Sequence, residues 1–118
     1  MITKESQDVS GIVRPLRIPT STVGATIQER FEAFHAQNPW ILAALEQLAA
    51  EYLRTTRGRR IGIRMLWEQI RWQYDRIVID PTSVFKVNDH YHSRYVRLLL
   101  TLHPEWAGCF QTRALRTP

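Results

Sequence analysis

Four arginines fall within seven residues, Arg54-Thr55-Thr56-Arg57-Gly58-Arg59-Arg60, the densest basic stretch in the chain. A guanidinium is planar, permanently charged and presents a fork of N–H donors that matches two oxygens at once, so a cluster of them suits phosphate. Arg64 and Arg71 follow at helical spacing, Lys86 stands further on, and Arg94, Arg97, Arg113 and Arg116 form a second constellation. The basic set is 14 arginines and 2 lysines against 11 acids, a net charge of +5. A surplus of that size in a small domain favours polyanions, nucleic acid first. A GC-rich codon bias would account for the arginine-to-lysine ratio but less well for the net charge.

Other chemistries find less support. Asp89-His90-Tyr91-His92 brings metal-ligating types together. On a helix, however, His90 and His92 point to different faces, and the i,i+4 histidine pair of a zincin is missing. Asp75, Asp80 and Asp89 lie near one another only in the sense of flanking the same segment. A helix surface, a turn and a helix start explain them without a nuclease centre. His35, beside Phe31 and Phe34, is expected to hydrogen-bond a helix end. Cys109 is the single cysteine, which excludes an internal disulfide and a four-cysteine zinc site. It lies between Trp106 and Phe110, where an inert thiol is expected. The segment Arg57-Gly58-Arg59-Arg60-Ile61-Gly62 lacks the Lys-Ser/Thr ending of a phosphate-binding loop. The expectation is a non-enzymatic protein with neither metal nor cofactor.

The elements that must carry these residues can be read from the hydrophobic period. The 118 residues, 44% of them apolar, suit one domain with its own core. Residues 1–24 have no aromatic residue and are broken by Gly11, Pro15, Pro19 and Gly24. They read as an extended, partly disordered arm whose apolar strip, Ile12, Val13, Leu16 and Ile18, packs on the domain or on a partner. Residues 25–118 read as the domain. Helices are predicted over Thr26–Gln37, Pro39 to about Arg57, Ile63–Asp75 and Asp89–His103, with a short one over Glu105–Phe110. Asn38-Pro39 stops the first and starts the second, with Asn38 as its N-cap. Gly58 is expected to take the left-handed position after the second. Arg64–Glu68 and Arg71–Asp75 are spaced for i,i+4 ion pairs, and Trp67 and Trp72 are expected in the core. Between the third and fourth helices, Ile77-Val78-Ile79, the turn Asp80-Pro81-Thr82-Ser83 and Val84-Phe85-Lys86-Val87 predict a β-hairpin. The expected fold is therefore mostly α with one β-hairpin (α+β), in the order of a winged helix-turn-helix.

Several strings carry a resemblance: Phe34-His35-Ala36-Gln37-Asn38-Pro39, Ile63 through Trp72, Phe85-Lys86-Val87-Asn88-Asp89, Ser93 through Leu98 and Phe110 through Arg116. Over about residues 30–116 the chain resembles a family of small uncharacterised proteins of bacteria and their phages. The resemblance implies a phage or prophage setting and no chemistry.

The functional expectation is a DNA-binding protein, a phage or prophage regulator. Arg54, Arg57, Arg59 and Arg60 would clamp phosphates, Arg64 and Arg71 would enter the groove from the third helix, Lys86 would contact from the wing, and Arg94 and Arg97 would extend the surface. The partner expected is double-stranded DNA, with a homodimer suited to paired half-sites. Glu68 and Asp75 on the same helix oppose this reading, because they repel phosphate. The alternative is a small interaction protein or inhibitor that docks on a host protein through the arm or exposed aromatics. In that case Arg94, Arg97, Arg113 and Arg116 could pair with Glu46, Glu51 and Glu105. With one cysteine, no apolar run of about 18 residues and no signal-like N-terminus, a cytoplasmic location with no membrane contact is expected.

Overall fold

The computed structural model describes residues 9–20, 24–57, 60–79, 85 and 90–110. Among these residues it contains four α-helices, α1 (Ile27–Gln37), α2 (Pro39–Thr56), α3 (Ile63–Ile77) and α4 (His90–Leu102), followed by a 3-10 turn at Pro104–Trp106. Among the described residues, every pair of helices except α1 and α3 is in contact. None of the helices among the described residues is long and apolar enough to cross a membrane.

Local chemistry sets the helix ends. Thr26 opens α1 with a capping box. The Glu29 amide donates to the Thr26 hydroxyl at 3.1 Å, and the Thr26 amide donates to the Glu29 carboxylate at 2.8 Å, which satisfies two donors that a helix start leaves open. A single residue, Asn38, separates α1 from α2, and Pro39 starts α2 where no amide donor is needed. At the far end of α2, the Thr55 hydroxyl donates to the Glu51 carbonyl at 2.9 Å and the Thr56 hydroxyl to the Tyr52 carbonyl at 2.6 Å.

The core forms where the apolar stripes meet. Ile41, Ala44 and Leu45 of α2, Leu66, Ile70 and Tyr74 of α3 and Tyr95 and Leu99 of α4 are almost wholly buried. Each large aliphatic among them contributes about 1.5–3 kcal/mol by burial. Aromatic rings fill the space between α1, α3 and α4. Phe31 meets Tyr95 edge-on at 4.8 Å, Trp67 meets Tyr95 at 5.4 Å, and Trp67 stacks on His92 at 4.9 Å.

The expected β-hairpin and wing are overturned. The fold is all-helical, and the single β-type pairing among the described residues is an isolated parallel bridge between Ile61 and Phe110. Ile77 is the last residue of α3, and the Val78 amide still donates to the Tyr74 carbonyl at 2.8 Å. The β-branched run therefore finishes a helix. Phe85 is buried and unpaired in any strand, with its ring 5.2 Å from Tyr74 and 5.9 Å from Trp67. Tertiary packing outweighs a β propensity worth at most about 1 kcal/mol. The rest of that prediction, 80–84 and 86–89, lies outside the described residues. The expected helix over Glu105–Phe110 is reduced to the 3-10 turn.

Residues 9–20 lie on the helices. Val9 and Val13 are buried, and Ile12 and Leu16 pack partly against the core, while Ile18 stays 70% exposed. Main-chain bonds fix the path. The Val9 amide donates to Gln73 Oε1 at 2.9 Å and the Leu16 amide to the Tyr74 hydroxyl at 3.1 Å. Asn38 does not cap α2 with its side chain. Its amide is turned to this segment instead.

Candidate nucleic-acid interface

The arginine-rich stretch is the turn that joins α2 to α3. Its backbone is held at both ends. Arg57 takes the left-handed conformation at φ 59° and ψ 44°, and its amide donates to the Leu53 carbonyl. The left-handed residue is thus Arg57, and Gly58, expected there from the sequence, lies outside the described residues with Arg59. On the other side, Ile61 is fully buried and its amide donates to the Cys109 carbonyl at 2.6 Å. The bridge to Phe110 anchors the turn on the segment after α4. Gly62 then leads into α3 in an extended conformation without a side-chain cap, and the first turn of α3 has no acidic residue.

Two electrostatic features meet there. The C-terminal end of α2 carries partial negative charge and favours the cations Arg54 and Arg57. The start of α3 carries partial positive charge and open amides, which favour an anion. Arg57, Arg60 and Arg64 are exposed around this junction. Arg54 is exposed as well, but its guanidinium pairs with Glu51. The turn therefore offers three exposed cations without an acidic partner among the described residues, beside an uncapped helix start. That arrangement favours an anion.

The other arginines of the expected site stand outside the turn or outside the described residues. Arg71 is exposed on α3, about 12 Å along the axis from the helix start. Arg97 is exposed on α4. Arg94 is only 3% exposed. Its Nε donates to Gln28 Oε1 at 2.8 Å and its Nη1 to the His90 carbonyl at 3.1 Å. It ties α4 to α1 and has no free head for a phosphate. Arg59, Lys86, Arg113 and Arg116 lie outside the described residues.

The acids are arranged differently from the expectation as well. Glu46 and Glu105 both meet His103, and Glu51 meets Arg54. Among the described residues, neither Arg64–Glu68 nor Arg71–Asp75 closes into an ion pair. Trp67 is in the core, but Trp72 is 59% exposed, with the Arg76 guanidinium over its ring at 4.6 Å. Trp72, expected in the core, thus lies beside exposed Met65 on the outer side of α3. Their spacing of seven, two turns on one helical stripe, was the available signal.

No group of three His, Cys, Asp or Glu side chains comes together among the described residues, and Asp89 lies outside them. His35 stacks on Phe31, its Nδ1 is buried without a hydrogen-bond partner, and burial pushes its pKa down. Cys109 is half-buried. No family model, curated protein or solved structure matches this chain.

Proposed function

We propose that the chain binds duplex DNA by its sugar–phosphate backbone through the α2–α3 turn. The observation that carries this reading is the meeting of exposed Arg57, Arg60 and Arg64 with the uncapped, acid-free start of α3. Arg59 belongs to the same turn by sequence. Arg57 and Arg60 grip phosphate oxygens, and Arg64 flanks them on the first turn of the helix. The length of α3 does not enter the groove in this reading, because Glu68 and Asp75 alternate with Arg64 and Arg71 along its outer side and oppose close approach to a polyanion. Contacts made to phosphates alone position a protein without reading bases, so binding is expected to be largely independent of sequence.

The test is affinity for a labelled random duplex from about 50 to 200 mM salt, where release of counterions is read directly. Three phosphate contacts predict a log–log slope near −3, from roughly −0.9 per contact. Arg57→Glu/Arg60→Glu should remain helical and lose binding. Unchanged affinity in that variant removes the turn from the site, and absence of binding by the native chain at the low-salt end removes the reading.

A further inference from the structure

With Leu66, Ile70 and Tyr74 turned to the core, the outer side of α3 divides into two stripes at about 100° per residue. The first holds Arg64, Glu68, Arg71 and Asp75, all exposed. The second holds Met65 and Trp72, which leave 38% and 59% of their surface in solvent. The charges run plus, minus, plus, minus, at spacings of four, three and four. Each oppositely charged i,i+4 pair could close within the helix, yet among the described residues neither does.

That order is its own complement when reversed. Lay α3 antiparallel on a second α3, with a two-fold axis midway between Gln69 and Ile70. Arg64 then faces the partner's Asp75, and Glu68 faces the partner's Arg71, each pair occurring twice by symmetry. A parallel pair in register would set like charge on like at all four positions. In a two-fold antiparallel pair like stripes meet, so the apolar stripe also meets its copy. The partner's Trp72 falls at the level of residue 67, between Met65 and Gln69. There it reaches the mouth of a cleft of about 260 Å³ between α2 and α3, walled by Leu48, Tyr52 and Leu66. An indole fits within that volume, and its burial removes the largest apolar group that the described part of α3 leaves in water.

We infer that the outer face of α3 is a two-fold interface between two copies of this chain. The occupant follows from the charge order, which fits a reversed copy of itself at every position. The seam spans α3, about 22 Å, and is small for an interface, so the dimer dissociates in the micromolar range, roughly 1–100 μM, and weakens with salt. The interface shares Arg64 with the basic cluster of the α2–α3 turn, but its test is read without a duplex, so either reading can fail alone.

The experiment is sedimentation velocity across that concentration range, with circular dichroism to confirm the fold. The native chain should pass from monomer to dimer. Arg71→Glu sets two glutamates against each other, and Glu68→Arg sets two arginines together, so each variant should sediment as a monomer. An equimolar mixture of the two restores both ion pairs and should dimerise, as should the double variant E68R/R71E. Trp72→Ser should weaken the dimer at least about tenfold, the equivalent of about 1.4 kcal/mol. A native chain that stays monomeric throughout the range overturns the inference. So does an Arg71→Glu variant that dimerises like the native chain, or a mixture of the two single-charge variants that remains monomeric.

Discussion

Asn38 and Arg17 pair as two strands of a sheet would, through one side-chain amide. The Arg17 amide donates to Asn38 Oδ1 at 2.8 Å, and Asn38 Nδ2 donates back to the Arg17 carbonyl at 2.8 Å. The same Nδ2 also donates to the Phe34 carbonyl, in the last turn of α1, at 3.0 Å. Asn38 is wholly buried, so its polar groups stay satisfied only while residues 9–20 remain in place. One residue thereby joins the corner between α1 and α2 to the N-terminal segment. Asn38→Ala should cost about 2–3 kcal/mol, because it strands buried partners as well as losing the bonds. Arg17→Ala, which keeps the main chain that Asn38 uses, should change stability by less than about 0.5 kcal/mol. Urea unfolding of both variants checks the contrast.

Two buried tyrosines should respond differently to loss of the hydroxyl. The Tyr74 hydroxyl accepts from the Leu16 amide at 3.1 Å, whereas the Tyr95 hydroxyl is buried without a hydrogen-bond partner and burial pushes its pKa well up. Tyr74→Phe should destabilise by about 1–2 kcal/mol, since it leaves an amide unpaired. Tyr95→Phe removes a group that gains nothing from being there and should be neutral or slightly stabilising. Thermal unfolding of the pair decides it. A larger loss in Tyr95→Phe than in Tyr74→Phe would refute the assignment.

Arg57 combines an unfavourable backbone with a favourable charge. Its φ of 59° costs an L residue about 1–2 kcal/mol. Glycine removes that strain and returns part of the gain through its freer unfolded chain, about 0.4–1 kcal/mol. Arg57→Gly should therefore raise the unfolding temperature by roughly 2–5 °C. If Arg57 grips a phosphate, the same change should lower duplex affinity and reduce the salt slope by about one. Stability and binding moving in opposite directions is the signature sought in paired melting and titration experiments.

The helices were legible because their signals are local. Trp40 through Tyr52 keep the helical period over several turns, and Asn38-Pro39 marks a boundary within one residue of its place. The hairpin was misread because β-branched residues at 77–79 and an aromatic at 85 look alike whether they end a helix and plug a core or pair as strands. The choice depends on Trp67 and Tyr74, which are distant in sequence from Phe85. Arg94 was misplaced for the same reason. Its partner Gln28 is 66 residues away, and no charge pattern reveals a buried arginine. Trp72 was a different kind of error. Helical geometry puts it on the stripe of Met65, opposite Ile70, and residue type overrode that angle.

His103 gives the stability a pH dependence. It follows α4, with Nε2 on Glu46 of α2 and Nδ1 on Glu105 at 3.1 Å, and its ring stacks on Trp106 at 3.9 Å. Hydrogen bonds from both ring nitrogens to carboxylates require the imidazolium, and a cation at the end of α4 also suits the helix dipole. The Glu46 bond chiefly, aided by Glu105 and opposed by desolvation, holds the His103 pKa above its ordinary value of 6.5. A raised folded-state pKa contributes stability in full below the unfolded value and loses it as the pH rises through the folded value. The unfolding temperature should thus fall as pH is raised from about 6 through that higher pKa. His103→Gln should lose this slope, and Glu46→Gln should flatten it while leaving the weaker Glu105 contact. A histidine NMR titration of the native chain would give the pKa directly. A value at or below 6.5, or an unchanged slope in His103→Gln, would show that another group carries the dependence.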